Sequence, residues 1–164
     1  MFPQRNPKPS TEEAHRCLRL AIEVAHQAKL KGRHPFGCVL VGPSGEVLLE
    51  QGNIDTLNHA ESTICRTAWK KYETSFLWRC TLYTNFEPCC MCAGSCYWAN
   101  VGRVVYGLEE SALLELTGDD SENMTMNMPS RKVFDSGQKA IEVLGPYEEL
   151  RAEILEDHRS FWKQ

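Results

Sequence analysis

Two short stretches, His59-Ala60-Glu61 and Pro88-Cys89-Cys90-Met91-Cys92, lie about thirty residues apart and constrain the rest of this chain. One histidine and a cysteine pair offer a nitrogen and two thiolates, the ligand set of a zinc site that keeps its fourth position for water. His59, Cys89 and Cys92 are the expected ligands, so the fold must bring the two stretches together. Two thiolates would neutralise the charge of Zn²⁺. Cys89 and Cys92 are three apart, and at the start of a helix they share one face. Pro88 suits the entry to that helix, where a missing N–H costs nothing. The positive end of the helix dipole favours the thiolates. Glu61 is only two residues from His59, too close for both to bind one metal easily. It is expected beside the metal's water as a proton carrier. Two other readings fit part of the pattern, since C-x-x-C alone is also a redox pair or half of a structural zinc site. A structural site would take Cys90 or Cys96 as its fourth ligand. Cys90, however, faces away from Cys89 and Cys92, and Cys96 sits one turn further along. A redox pair would not require the upstream His-x-Glu.

The surrounding pattern alternates strands and helices. Ser10-Thr11-Glu12-Glu13 has the capping-box form. Leu18, Ala21, Ile22, Ala25 and Ala28 then recur at helical spacing, and Gly32 closes that helix near Lys31. His15 and His26 fall in it and read as ordinary surface or edge histidines. Cys38–Val41 and Glu46–Gln51 read as a hairpin around the turn Gly42-Pro43-Ser44-Gly45. A polar loop, Asn53–Asn58, leads to the His59 helix, which runs to about Lys71. Thr81–Thr84 is a strand, the cysteine helix runs to about Trp98, and Val101–Tyr106 is another strand. Strand, helix, strand over this length is a βαβ unit, so these two strands are expected to be parallel. Both metal-bearing helices follow strands, and ligand sites in such sheets lie at strand carboxyl ends. Ser111–Leu116 reads as a short helix and Thr117–Pro129 as a long irregular loop. Ile141–Leu144 reads as a fifth strand, and Tyr147–Trp162 as a final helix. Residues 1–9, with three prolines and two basic residues, read as a loose arm.

Composition bounds the function classes. The 164 residues suffice for one domain with a core, and the net charge of −4 shows no basic excess to attract a phosphate backbone. A nucleic-acid partner is disfavoured, a local basic patch remaining open. No apolar run approaches membrane-spanning length, and the opening residues lack the form of a signal peptide. Of eight cysteines, two are assigned to the metal. Cys38, Cys65 and Cys80 sit in apolar or mixed runs as buried thiols, which fits a reduced, cytoplasmic setting.

H-x-E followed by P-C-x-x-C is the signature of zinc nucleobase deaminases. From about residue 12 to 108 the chain resembles the cytidine and deoxycytidylate deaminase superfamily. Within it, the chain is most similar to the branch holding bacterial guanine deaminases and tRNA adenosine deaminases. The resemblance implies an α/β fold of three layers, α/β/α, with a central mixed five-stranded sheet. It also implies one catalytic Zn²⁺ per chain and a homodimer. Pro35-Phe36-Gly37, Tyr97-Trp98-Ala99 and Gly118-Asp119-Asp120-Ser121 look like guanine deaminase, while Gly102–Gly107 is equally similar to the tRNA enzymes. Cys90, Ser95-Cys96 and the tail from Ser130 depart from both. The expected reaction is hydrolytic deamination of a free base or small nucleoside, guanine or a related amino-purine first. Cytosine, cytidine and tRNA adenosine are the alternatives. Glu61 is the expected catalytic group. Asn53, matching a base-contacting asparagine of the family, is an expected substrate contact together with Phe36, Ala60, Glu87, Pro88, Trp98 and Asp120.

Overall fold

The computed structural model describes residues 2–162. Its centre is a five-stranded sheet of β1 (Gly37–Val41), β2 (Val47–Gly52), β3 (Thr81–Phe86), β4 (Arg103–Leu108) and β5 (Glu142–Leu144), in the order β2-β1-β3-β4-β5. β1 runs antiparallel to β2 and β3, whereas β3, β4 and β5 are parallel. The mixed sheet and the parallel β3–β4 pair agree with the sequence pattern. The register pairs Gly37 with Gly52, and Phe86 with Leu108. One rim of the sheet therefore gathers the start of β1 and the ends of β2, β3 and β4.

Side chains alternate across this sheet with period two. Leu40, Leu82 and Val104 face one apolar layer; Val39, Tyr83 and Val105 face the other. The first layer is covered by α2 (Ala60–Lys71), the one-turn α3 (Thr74–Leu77), α4 (Cys90–Ala99) and the short α6 (Ser130–Asp135). The second is covered by α1 (Thr11–Leu30) with α5 (Glu110–Thr117) and α7 (Arg151–Glu156). Fully buried leucines such as Leu18, Leu40 and Leu82 each contribute roughly 1.5–3 kcal/mol by leaving water. α1 begins as its capping box requires, with Ser10 Oγ accepting from the Glu13 N–H at 3.1 Å. It buries Ala14, Cys17, Leu18, Ala21, Ala25 and Ala28, one stripe at three- and four-residue steps. The stripe is rich in alanine because α1 lies close to β1. A Cβ at Gly37 would collide with the backbone of Ala21 and Ala25, so only glycine permits this approach.

Four expectations change in detail. The final helix is short: a 3-10 turn, Glu148–Leu150, leads into α7, and turns follow to residue 162. Of Leu150, Ile154, Leu155 and His158, whose helical spacing puts them in register, Leu150, Ile154 and His158 are nonetheless buried, and Leu155 is half-buried. His15 and His26 are not idle surface groups. His15 Nε2 meets Glu149 at 2.6 Å and His26 Nδ1 meets Asp157 at 2.8 Å, tying α1 to the C-terminal segment. The opening residues lack regular structure but are docked, with Arg5 stacked 4.8 Å from the Trp78 ring centre and donating to the Ala140 carbonyl. α6 falls where no helix was expected.

Candidate active site

α2 and α4 pack side by side on the sheet with their N-termini at the same rim. His59 is the N-cap of α2 and Cys89 the N-cap of α4, both in extended conformation. Glu61 and Cys92 follow in the first turns. His59 Nδ1 lies 3.6 Å from Cys89 Sγ and 3.6 Å from Cys92 Sγ. The three ligand atoms all fall within 4.8 Å of one another. A tetrahedral zinc with Zn–S near 2.3 Å and Zn–N near 2.0–2.1 Å separates nitrogen from sulfur by about 3.6 Å. The donor set and its spacing thus fit one Zn²⁺. Pro88 precedes the N-cap rather than opening the helix, and it fixes the turn out of β3. Of the spare cysteines, Cys90 Sγ meets Met126 Sδ at 3.1 Å, and Cys96 Sγ meets Cys65 Sγ at 3.7 Å in the core. Neither completes a fourth ligand.

The electrostatics match the ligands. The Cys92 thiol donates to Cys89, which with His59 holds Cys89 at about 4, far below an ordinary thiol. Cys92 is itself raised by that same bond and by burial. Its hydrogen bond with Cys89 raises His59 in turn. Metal binding must therefore expel the remaining thiol proton.

Glu61 is 5% exposed. Burial raises its carboxyl, against a 2.6 Å hydrogen bond from Thr84 Oγ1 to Oε1. Thr84 projects from β3 on the same face as Leu82, toward α2, and is fully buried. No reading of the sequence singled it out. The available signal was a hydroxyl interrupting the apolar face of a central strand near its carboxyl end.

A cavity of about 360 Å³ opens beside these groups, lined by Phe36, Asn53, His59, Glu61, Phe86 and Glu87 among others. Such a volume suits a small ligand. Residues 121–126 of the long loop form its outer wall. His34 belongs to it too, its Nε2 3.8 Å from Glu122 Oε2, with burial lowering its pKa. Asn53 is 2% exposed, and its backbone N–H donates to the Phe36 carbonyl at 2.9 Å, joining two walls. Glu110, the first residue of α5, also lines the cavity. Burial, with Cys89 and Glu61 nearby, lifts its carboxyl to about 8.

Four expected substrate contacts are placed differently. Trp98 is 76% exposed on the outer side of α4 and does not line the cavity. Cys92, Cys96 and Ala99 take the inward stripe, and a residue two beyond Cys96 points out. Ala60 is buried in the core beneath α2, and Pro88 is buried behind the cysteine turn. Asp120 is 7% exposed and accepts from the Glu122 N–H at 2.9 Å, so its carboxylate closes its own turn beside the lining residues. Glu87 does line the cavity, but protein donors occupy it. Oε1 accepts from the Glu110 N–H at 3.0 Å, while Oε2 accepts from the Ser130 N–H at 2.8 Å and its Oγ at 2.7 Å. It anchors the first residues of α5 and α6.

Residues 11–108 match the family model of the cytidine and deoxycytidylate deaminase zinc-binding region. The chain belongs to this deaminase family, and its His59, Cys89 and Cys92 are positioned to hold the family's zinc. It is 38% identical over 149 residues to a probable cytosine deaminase of Schizosaccharomyces pombe, covering 88% of this chain and 90% of that protein. To the guanine deaminase of Bacillus subtilis it is 41% identical over 91 residues, 53% of this chain and 58% of that one. A solved structure from work on A-to-I editing by tRNA:A34 deaminases at the wobble position of transfer RNA is also similar. It shows a TM-score of 0.62 at 25% identity, over 87% of this chain and 99% of that one.

Proposed function

We infer that the chain hydrolyses the exocyclic amine of a free nucleobase, releasing ammonia, with cytosine the first substrate and guanine the second. The observation that carries the chemistry is the buried Glu61, oriented by Thr84, beside the His59–Cys89–Cys92 set in one small cavity. Zinc bound there supplies a Lewis acid that activates water at neutral pH. Held through Oε1 by Thr84, the Glu61 carboxylate is the group that moves protons. It takes a proton from the attacking water and gives it to a ring nitrogen. It then takes the second proton from the former water oxygen and delivers it to the amine. The water oxygen bonds to the amine-bearing ring carbon, the bond from that carbon to the exocyclic nitrogen breaks, ammonia leaves, and a carbonyl remains. Phe36 and Phe86, 5.8 Å apart edge to face, flank the cavity and suit a planar ring.

Cytosine comes first because likeness to the S. pombe protein covers 88% of this chain and 90% of that one, whereas the guanine-deaminase likeness covers 53% and 58%. Guanine remains the second reading on the loop Gly118-Asp119-Asp120-Ser121, although Asp120 does not line the cavity. The net charge of −4 disfavours tRNA. Ammonia release from cytosine, guanine, adenine, cytidine and a tRNA anticodon hairpin tests the reading. Faster turnover of the hairpin than of any free base would overturn it.

The assembly we infer is a homodimer. An apolar groove on the outer side of α2 and α4, with Trp69 58% and Trp98 76% exposed, supports it. Cys90 and Met91 line both this groove and the cavity. The inferred setting is the reducing cytoplasm, where the thiols persist. Among the described residues no helix is long and apolar enough to cross a membrane.

A further inference from the structure

Four glutamates line the active-site cavity: Glu61, Glu87, Glu110 and Glu122. Three have partners. Glu61 accepts from Thr84, Glu87 accepts from Glu110 and Ser130, and Glu122 faces His34. The carboxyl of Glu110 makes no hydrogen bond or ion pair among the described residues, although the residue is only 6% exposed. Its own backbone N–H is already taken by Glu87, so the side chain is not spent on the start of α5. Its oxygens open into the cavity, so a ligand that fills the cavity displaces their water, and leaving the carboxyl unmet would then cost free energy. A carboxyl left open toward a ligand cavity awaits a donor from the ligand.

We propose that Glu110 is a substrate-contacting specificity residue, accepting a hydrogen bond from the ring N–H that distinguishes a free base from its nucleoside. This rests on reading the site as that of a free-base deaminase. Charged or neutral, the carboxyl has at least one accepting oxygen. A free base carries a ring N–H at the nitrogen that bears the sugar in a nucleoside. Glycosylation removes that donor, adds bulk and leaves Glu110 unpaired. A site built on such a bond rejects the analogue lacking it strongly, by up to roughly 10⁴–10⁵-fold. Position supports the role: Glu110 stands just past the carboxyl end of β4, beside the turn that carries the zinc cysteines out of β3.

The test pairs substrates with variants. The substrates are the base that the wild type turns over fastest, the same base methylated at the sugar-bearing ring nitrogen, and its nucleoside. The variants are Glu110→Gln, which keeps an accepting oxygen, and Glu110→Leu, which does not. In the wild type the methyl and the sugar each lower kcat/KM at least tenfold. Glu110→Leu raises KM for the free base about 10- to 100-fold, the cost of leaving its desolvated ring N–H without an acceptor, and shrinks the methyl penalty. Glu110→Gln recovers part of the KM loss. One zinc per chain is retained throughout. Wild-type turnover of the methylated base or nucleoside within about threefold of the free base overturns the proposal whether or not the variants fold. So does a folded Glu110→Leu whose KM and methyl penalty are unchanged. Wild-type inactivity toward every free base overturns the free-base reading itself, a distinct outcome.

Discussion

At the residue scale the site depends on how carboxyls are held. Thr84 orients Glu61 through a 2.6 Å bond to Oε1. Thr84→Val keeps the volume and removes that bond, so kcat should fall roughly 10- to 100-fold while zinc content and KM stay near wild type. Steady-state kinetics with metal analysis check this, and an unchanged kcat would make Thr84 a packing residue only. His59, Glu61, Cys89 and Cys92 were legible in the sequence because ligand type and spacing are local properties. Thr84 and Glu110 were not, because their roles come from which strand faces which helix. Trp98 was misplaced for the same reason: its aromatic character is local, but its direction is set by the stripe that Cys92 and Cys96 bury. Glu87 lines the cavity, but the donors that fill it come from the starts of α5 and α6, which no local spacing relates to it.

At the element scale, two tethers shape the cavity. Glu87 joins α5 and α6 to the end of β3. Glu87→Leu strips a shared partner from two helix starts and should lower stability by about 2–4 kcal/mol, read by denaturant unfolding. A loss under 0.5 kcal/mol would show that water replaces it. The second tether holds Phe36. His158 Nε2 donates to the Pro35 carbonyl at 2.8 Å, and Trp162 Nε1 donates to His158 Nδ1 at 3.1 Å. The ring is therefore neutral, and burial lowers its pKa from 6.5 to about 4. With the folded value below the unfolded one, this contribution is complete above pH 6.5 and is lost as pH falls toward 4. The loss is about 3 kcal/mol. Unfolding free energies at pH 7, 5 and 4 should show this fall, and His158→Gln should flatten it. Identical pH profiles would place the acid sensitivity elsewhere. Helical spacing exposed Leu150, Ile154 and His158 as one face. The early end of α7 was not legible, since Asp157 and His158 are committed to partners on α1 and the Pro35 turn rather than to further helix.

At the scale of the whole molecule, the antiparallel β1–β2 hairpin and the parallel β3–β4–β5 set bring two helix N-termini to one rim. The order of strands and helices was readable from hydrophobic period and turn residues. The placement of residues 121–126 over the cavity was not, because an irregular loop has no period to read. The outer groove makes assembly testable. Trp98→Glu places a charge in an apolar surface, and sedimentation should shift from dimer to monomer with zinc retained. A wild-type monomer at micromolar concentration would refute the inferred dimer. The claim on which the rest stands is that Glu61 moves protons beside a zinc held by His59, Cys89 and Cys92. Ammonia release by Glu61→Gln protein, verified to carry one zinc per chain, tests it most directly. Turnover should fall about 10²- to 10⁴-fold with the metal and the fold intact; near-normal turnover by that zinc-loaded variant would contradict the mechanism.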